Sequence, residues 1–386
     1  MQAIYLDNNA TTQVDEAVVE AMVDALRTGW GNPSSLHAFG EHAAGLVERA
    51  RGAVARLVGA RSPDEIVFTS GGTESINTAL FAVLAGRTGG RVLAGATEHS
   101  AVLCPLERYA SLGLEVERVA VDREGRIDVE QVLARLDEDC ALVTLHLANN
   151  ETGALLPEKA VESVARRATE LGVPFHLDAV QAPGKLPLSV QRLGVDFASF
   201  SAHKFHGPKG VGALYVRKGR ALTALVAGGP QEAERRGGTQ NVPGIVGMGR
   251  AAELARAQAE DPLALRAVAE LRDRLEAGLL ERLDGARAHA TGGPRLGNTS
   301  SLHVPGIDGE LFLAGLAAEG LAVSGGAACS SRRRGPSPVL LAMGCDADEA
   351  SRTVRFSLSR RTTAAEVDAA LELVPRVHGE LAQLQP

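Results

Sequence analysis

The chain has 386 residues, 45% hydrophobic and 23% charged, the balance of an ordinary globular protein with room for a large core and two or three domains. A net charge of −7 argues against a nucleic-acid-binding surface, and an aromatic content of 3% argues against a base-stacking platform. No run approaches the roughly 18 apolar residues of a membrane span, and the start MQAIYLDNNATTQVDEAV lacks the basic and apolar regions of a signal peptide.

From residue 60 to 217 short apolar runs alternate with helical patterns. In chain order, EIVFTS (65–70) precedes the helical TESINTALFAVLAG (73–86), and GRVLAG (90–95) precedes DVEQVLARLDE (128–138). CALVTLHLA (140–148), the helical EKAVESVARRATELG (158–172), VPFHLDA (173–179), VDFASFSA (195–202) and VGALYV (211–216) follow. The first four apolar runs lack polar alternation, as strands buried on both faces of a mostly parallel sheet do. Several of the helical patterns end at glycine, and the alternation predicts an α/β domain with helices on both faces of the sheet. Past about residue 255 a charged amphipathic helix, LALRAVAELRDRLEAGLLERL (263–283), leads to two further strand candidates, TSSLHV (299–304) and TVRFSLS (353–359). The expected division is a large α/β domain over 15–257 and a smaller α+β domain made from 1–14 and 258–386.

Of the 40 Lys plus Arg, only five are lysines, and two of these fall in SAHKFHGPKGVGALYV (201–216). An isolated loop lysine is ordinarily just solvated. Lys204, however, follows a predicted strand, where open α/β sheets place their ligand crevices. Ser201, His203 and His206 surround it in sequence, and the glycines after it permit close backbone approach. An amine there, unlike a guanidinium, can lose its proton and form a Schiff base with a carbonyl cofactor.

If that carbonyl belongs to pyridoxal phosphate, three more parts are needed. Asp178, at the end of HLDAVQ and 26 residues before Lys204, offers an acid for the pyridine nitrogen, and Gln181 a donor for the ring hydroxyl oxygen. FTSGGTESINTAL reads as strand, glycine turn and helix start, an anion site made of backbone N–H groups and the Thr73 hydroxyl. That motif has neither dinucleotide nor Walker spacing, so ATP binding is not expected. His99 in TEHSAV follows another strand end, where its ring can stack on the cofactor and move protons.

Taken together these parts resemble fold-type I pyridoxal-phosphate enzymes, and within the class V aminotransferase family the cysteine desulfurases of the NifS/IscS-like branch. The resemblance runs through YLDNNATT (5–12), GNPSSLHAFG (31–40), FTSGGTESIN (68–77), EHSAV (98–102), NNETG (149–153), DAVQ (178–181), SAHKFHGPKG (201–210), RRGGTQN (235–241), SGGAACSS (324–331) and RFSLSR (355–360). It implies a seven-stranded-type, mostly parallel sheet flanked by helices plus a small domain. It also implies that Lys204 carries the cofactor, that Asp178 pairs with its ring nitrogen and that His99 stacks as acid–base group. Gly72, Thr73, Ser201 and His203 would form the phosphate cup, with Gln181 beside the ring. Thr239 would reach the cofactor phosphate of the other subunit of a homodimer, and Asn150 and Arg355 would hold the substrate carboxylate.

Cysteines 104, 140, 329 and 345 are scattered without a CxxC pair, as free thiols of a reducing cytoplasm are, and this argues against a closed structural zinc site. Cys104, Cys140 and Cys345 read as packing residues. Cys329 sits among Gly, Ser and arginines 332–334, which predicts an exposed loop (about 324–337) with a reactive thiolate. The resemblance assigns to Cys329 the attack on the sulfur of L-cysteine, giving L-alanine and a persulfide. The sulfur would pass to an iron–sulfur scaffold protein or another acceptor such as a tRNA-thiolation relay. No resident metal is expected, and the resemblance leaves open whether Cys329 lends a ligand to a nascent cluster. A selenocysteine lyase or another class V aminotransferase-like enzyme is the alternative reading. Neither a membrane nor direct nucleic-acid contact is expected.

Overall fold

The computed structural model describes residues 3–325 and 335–383. Its largest sheet has seven strands: β1 (Ile66–Thr69), β2 (Arg91–Gly95), β3 (Glu115–Val119), β4 (Cys140–His146), β5 (Phe175–Asp178), β6 (Phe197–Ser201) and β7 (Gly212–Val216). They lie in the order β1-β7-β6-β5-β4-β2-β3, parallel except that β7 runs against both of its neighbours. The central strands are buried from end to end, which explains their continuous apolar runs. β3, the edge strand, reads EVERV and is largely open to solvent, so its sequence carries charge where the others carry valine and leucine. That is why apolar periodicity does not pick it out.

Helices cover both faces. Gly72–Leu84 and Ser100–Ala110 pack with β2 and β4 in one apolar cluster built from Ile76, Leu80, Val92, Val102 and Leu142. On the other side Ala38–Val58, Glu158–Leu171 and Val242–Glu260 bury Val54, Val164 and Met248 in the main core. The helix Val242–Glu260 escapes a periodicity search because glycines interrupt it. One of them lets two backbones meet: a Cβ on Gly249 would stand 2.6 Å from the Cα of Ala50.

A second core joins the start of the chain to its end. Ile4 and Leu6 pack with Leu275, Leu302, Phe312, Phe356 and Val374. Its antiparallel sheet pairs Thr299–His303 with Thr353–Ser357, flanked by Arg287–Ala288 and Ser324–Gly325. The helix Pro262–Arg282 lies on it, and Ala364–Ala382 packs against that helix. Among the described residues no helix is long and apolar enough to cross a membrane.

Candidate functional site

The carboxyl ends of β4, β5 and β6 open onto a cleft of about 860 Å³. Its lining includes Gly72, Thr73, His99, Asn150, Asp178, Gln181, Ser201, His203, Lys204 and Arg355. Ten of the twelve residues that the sequence points to therefore converge on one space, at the strand ends where an open parallel sheet leaves room for a ligand. Asp178 closes β5 and Ser201 closes β6. Lys204 ends the single 3-10 turn that follows β6, and its Nζ donates to the carbonyls of Asn9 (2.6 Å) and Ala10 (2.9 Å). The N-terminal segment thus forms part of the wall.

Each side chain has a definite posture. His99 caps the helix Ser100–Ala110, its Nδ1 accepting from the Ala101 N–H at 3.0 Å. A neutral ring so held carries its proton on Nε2. Burial, helped by the charges of Lys204, Lys209 and Lys185, pushes His203 down to about 4, so its ring is neutral near pH 7. Arg355 is almost fully enclosed. One terminal nitrogen donates to Asp7 Oδ1 at 2.7 Å and the other to the Asn150 carbonyl at 2.9 Å, while Nε has no partner among the described residues. A guanidinium at a cleft wall has the planar donors that can pair with a carboxylate.

The start of the helix Gly72–Leu84 lines the cleft with Gly72 and Thr73. Gly71 has no side-chain cap, so the first N–H groups of the helix are left to whatever the cleft holds. A Cβ on Gly72 would lie 2.9 Å from Val180 Cγ2 and 3.5 Å from Ser201 Cβ, filling the space between these walls.

The model of the Aminotransferase class-V family matches residues 4–370. A cysteine desulfurase of Cereibacter sphaeroides is 46% identical over 390 residues, covering 100% of this chain and 98% of its relative. The cysteine desulfurase NifS of Azotobacter vinelandii is 43% identical over 389 residues, covering 100% and 95%. A solved NifS-like protein superposes with a TM-score of 0.90 at 40% identity, over 98% of this chain and 100% of that one. The chain belongs to the class V aminotransferases, on their cysteine desulfurase branch.

Members of this family depend on pyridoxal phosphate, and the cleft of this desulfurase-family chain fits it. It offers an uncapped helix start for a phosphate, a buried carboxylate (Asp178) for a ring nitrogen and an amine (Lys204) for a carbonyl. Thr239 is not in the cleft. It is exposed and borders a separate cavity with Ser70, Arg236 and Gln240. Cys329 and arginines 332–334 lie outside the described residues.

Several residues of the site carry no local signal in the sequence. Lys185 Nζ donates to Gln181 Oε1 at 2.6 Å and Asn9 Oδ1 at 3.0 Å, while Gln181 Nε2 donates to the Asn9 carbonyl. Burial, with the charges of Lys204 and Arg355, drives Lys185 well below the usual lysine range. Beneath the cleft, Glu98 Oε1 receives the His146 N–H at 2.7 Å and faces His146 Nδ1 at 2.8 Å. Burial raises the Glu98 carboxyl. For His146 burial opposes protonation, but the Glu98 charge and hydrogen bond, with the Asp178 charge, together outweigh it and lift the imidazole. Apart from Lys185 and Gln181, 4 residues apart, these partners lie from 48 residues (His146–Glu98) to 176 residues (Lys185–Asn9) apart in sequence, and only folding unites them.

Proposed function

We propose that this protein is a pyridoxal-phosphate-dependent cysteine desulfurase that converts L-cysteine to L-alanine and leaves the sulfur as a persulfide on Cys329. The observation that carries this reading is the convergence of Lys204, Asp178, His99, Asn150 and Arg355 on one cleft at the sheet's carboxyl edge. Lys204 would hold the cofactor's carbonyl carbon, Asp178 its ring nitrogen, and Gly72, Thr73, Ser201 and His203 its phosphate. The bound cofactor supplies an electron sink next to the substrate's α-carbon.

The protein's own groups do the rest. Arg355, with Asn150, seats the substrate carboxylate and orients its side chain. Lys204 takes and returns the proton at the α-carbon. His99, its Nδ1 engaged by the Ala101 N–H, works at Nε2 on the substrate thiol. The Cys329 thiolate attacks the substrate sulfur: an S–S bond forms, the C–S bond breaks, and the thiol's proton ends on the new methyl group.

The framing of residues 326–334 favours this role for Cys329. Ser324 pairs with Arg355 across the small sheet, and Ser337 Oγ donates to Glu151, next to Asn150. The described residues Ser324 and Ser337 that flank the segment therefore stand beside residues that line the cleft or adjoin its lining. The exposed Leu26, Trp30, Leu36 and Phe39, of which the Trp30 and Phe39 rings pack together, and the exposed Thr239 favour a homodimer in which Thr239 serves the partner's phosphate. A cytoplasmic enzyme feeding an iron–sulfur scaffold or another sulfur acceptor accords with its scattered cysteines and its family.

The test is incubation with L-cysteine, with assay of alanine and transferable sulfur and mass spectrometry of the peptide containing Cys329. One sulfur adduct there, with alanine equal to sulfur released, is expected. Alanine without a sulfur adduct, or an adduct only on another cysteine, would exclude this chemistry.

A further inference from the structure

On the far side of the small sheet, three side chains unrelated to the cleft face one another. His289 follows the strand Arg287–Ala288, Cys345 follows the helix Pro338–Ala342, and Glu349 lies in the helix Ala347–Ser351. One ligand atom from each lies within 4.8 Å of the others, and together they border a cavity of about 700 Å³. Cys345 Sγ is 4.0 Å from His289 Nδ1.

The histidine is poised as a ligand by its neighbour. The Thr353 hydroxyl has one proton and donates it to the Glu349 carbonyl at 2.8 Å. Its oxygen can then only accept from His289 Nε2, 3.2 Å away. The ring proton is thereby fixed on Nε2, and the lone pair of Nδ1 is turned to the thiol. A hydrogen bond of this kind on the remote ring nitrogen is how proteins orient metal-binding imidazoles. Burial lowers the affinity of His289 for a second proton, which keeps that lone pair available.

We propose that His289, Cys345 and Glu349 bind one divalent ion of the zinc class. The nitrogen–sulfur–oxygen donor set suits zinc and does not suit magnesium or calcium, which take oxygen ligands. Ordinary zinc–sulfur and zinc–nitrogen bonds in a tetrahedron place the two donors about 3.5 Å apart, so the observed separation closes by a few tenths of an ångström. Burial and then the Glu349 charge raise the Cys345 thiol to about 11, so the ion must displace its proton to water. Glu349 meets Arg287 at 3.2 Å, and its two oxygens can be shared between that guanidinium and the ion. Water completes the fourth position, which distinguishes this site from a closed structural one. The ion would tie the helices Pro338–Ala342 and Ala347–Ser351 to the edge of the small sheet.

The test is titration of the chelator-stripped holoenzyme with Zn²⁺ against a chromophoric competitor. One equivalent per chain is expected, retained in Cys329→Ser, and weakened at least about tenfold in Cys345→Ser and His289→Gln. Thr353→Val should weaken it by about ten- to a hundredfold, as losing such an orienting partner does elsewhere. The absence of a stoichiometric equivalent, or equal affinity in Cys345→Ser and His289→Gln, would overturn the proposal. Should those variants not fold, alkylation of the wild type decides. Zn²⁺ must then slow the labelling of Cys345 while leaving Cys104 unchanged, and equal labelling with and without the ion refutes the site.

Discussion

In the proposed reaction one amine and one carboxylate divide the work of the cleft, and each can be removed alone. Lys204 lies at the surface of a cavity rather than in the core, so Lys204→Ala should fold normally. Borohydride reduction should then fix no cofactor to the protein, whereas it fixes cofactor to the wild type. Cofactor attached at another lysine would reject the assignment. Asp178→Asn should keep the cofactor and lose activity by on the order of a hundredfold or more, the scale of a lost preorganised electrostatic partner. A steady-state assay with L-cysteine measures it, and near-normal turnover would remove Asp178 from its role. These residues are legible in the sequence because each sits at the end of an apolar run. Lys185, Asn9, Glu98 and His146 are not, since what matters about them is the groups they meet. Lys185 differs from a surface lysine only through Gln181, Asn9 and its burial.

At the scale of elements, the strap around Glu232 shows what periodicity leaves unread. Glu232, Ala233 and Glu234 are three successive non-glycine residues in the left-handed region, with φ of 50°, 54° and 64°. One buried carboxylate holds them. Glu232 pairs with Arg51 at 2.6 Å, accepts the Phe68 N–H at 2.9 Å and also binds Gln240. Glu232→Ala would take from the buried Arg51 its buried carboxylate partner, leaving it the Ile66 carbonyl and the exposed Glu48, and should destabilise the fold by about 3–5 kcal/mol, read as a lowered urea midpoint. A loss under about 1 kcal/mol would mean that the strap is held elsewhere. Strands fare better than this strap in a reading of sequence, because a buried strand needs an unbroken apolar run. The expected EIVFTS, GRVLAG and VPFHLDA all contain strands, and the charged edge strand Glu115–Val119 does not announce itself. Val242–Glu260 fails for the opposite reason. Its glycines, which weaken a helix alone, are what allow it to lie against Ala38–Val58.

For the molecule as a whole, buried histidines set the response to acid. His176, held between Thr144 and Ser199 at 2.8 Å each, is pushed by burial to about 4, and His206 likewise falls to about 4. With His203 this makes three imidazoles held near 4, and burial lowers His289 as well. Between pH 6.5 and about 4 the unfolded chain takes up protons that the folded chain refuses, so stability is full above that window and falls as pH drops through it. Below it the depressed Glu232 carboxyl adds its own loss, since its pairing with Arg51 ends when it is protonated. Urea midpoints across this window should decline in the wild type and decline less in His176→Gln. Parallel slopes would show that His176 does not contribute.

Thr239 stands outside the cleft of its own chain, and that separation has a genetic consequence. If each cleft is completed by the other subunit, two different inactive chains can rescue one another. A Lys204→Ala chain has a dead cleft but an intact Thr239, while a Thr239→Ala chain has an intact cleft that its own kind completes poorly. In a randomly mixed population of symmetric dimers about a quarter of all clefts would be whole, and that fraction of wild-type activity should return on co-refolding. If each cleft were complete within one chain, mixing would return only the average of the two parents.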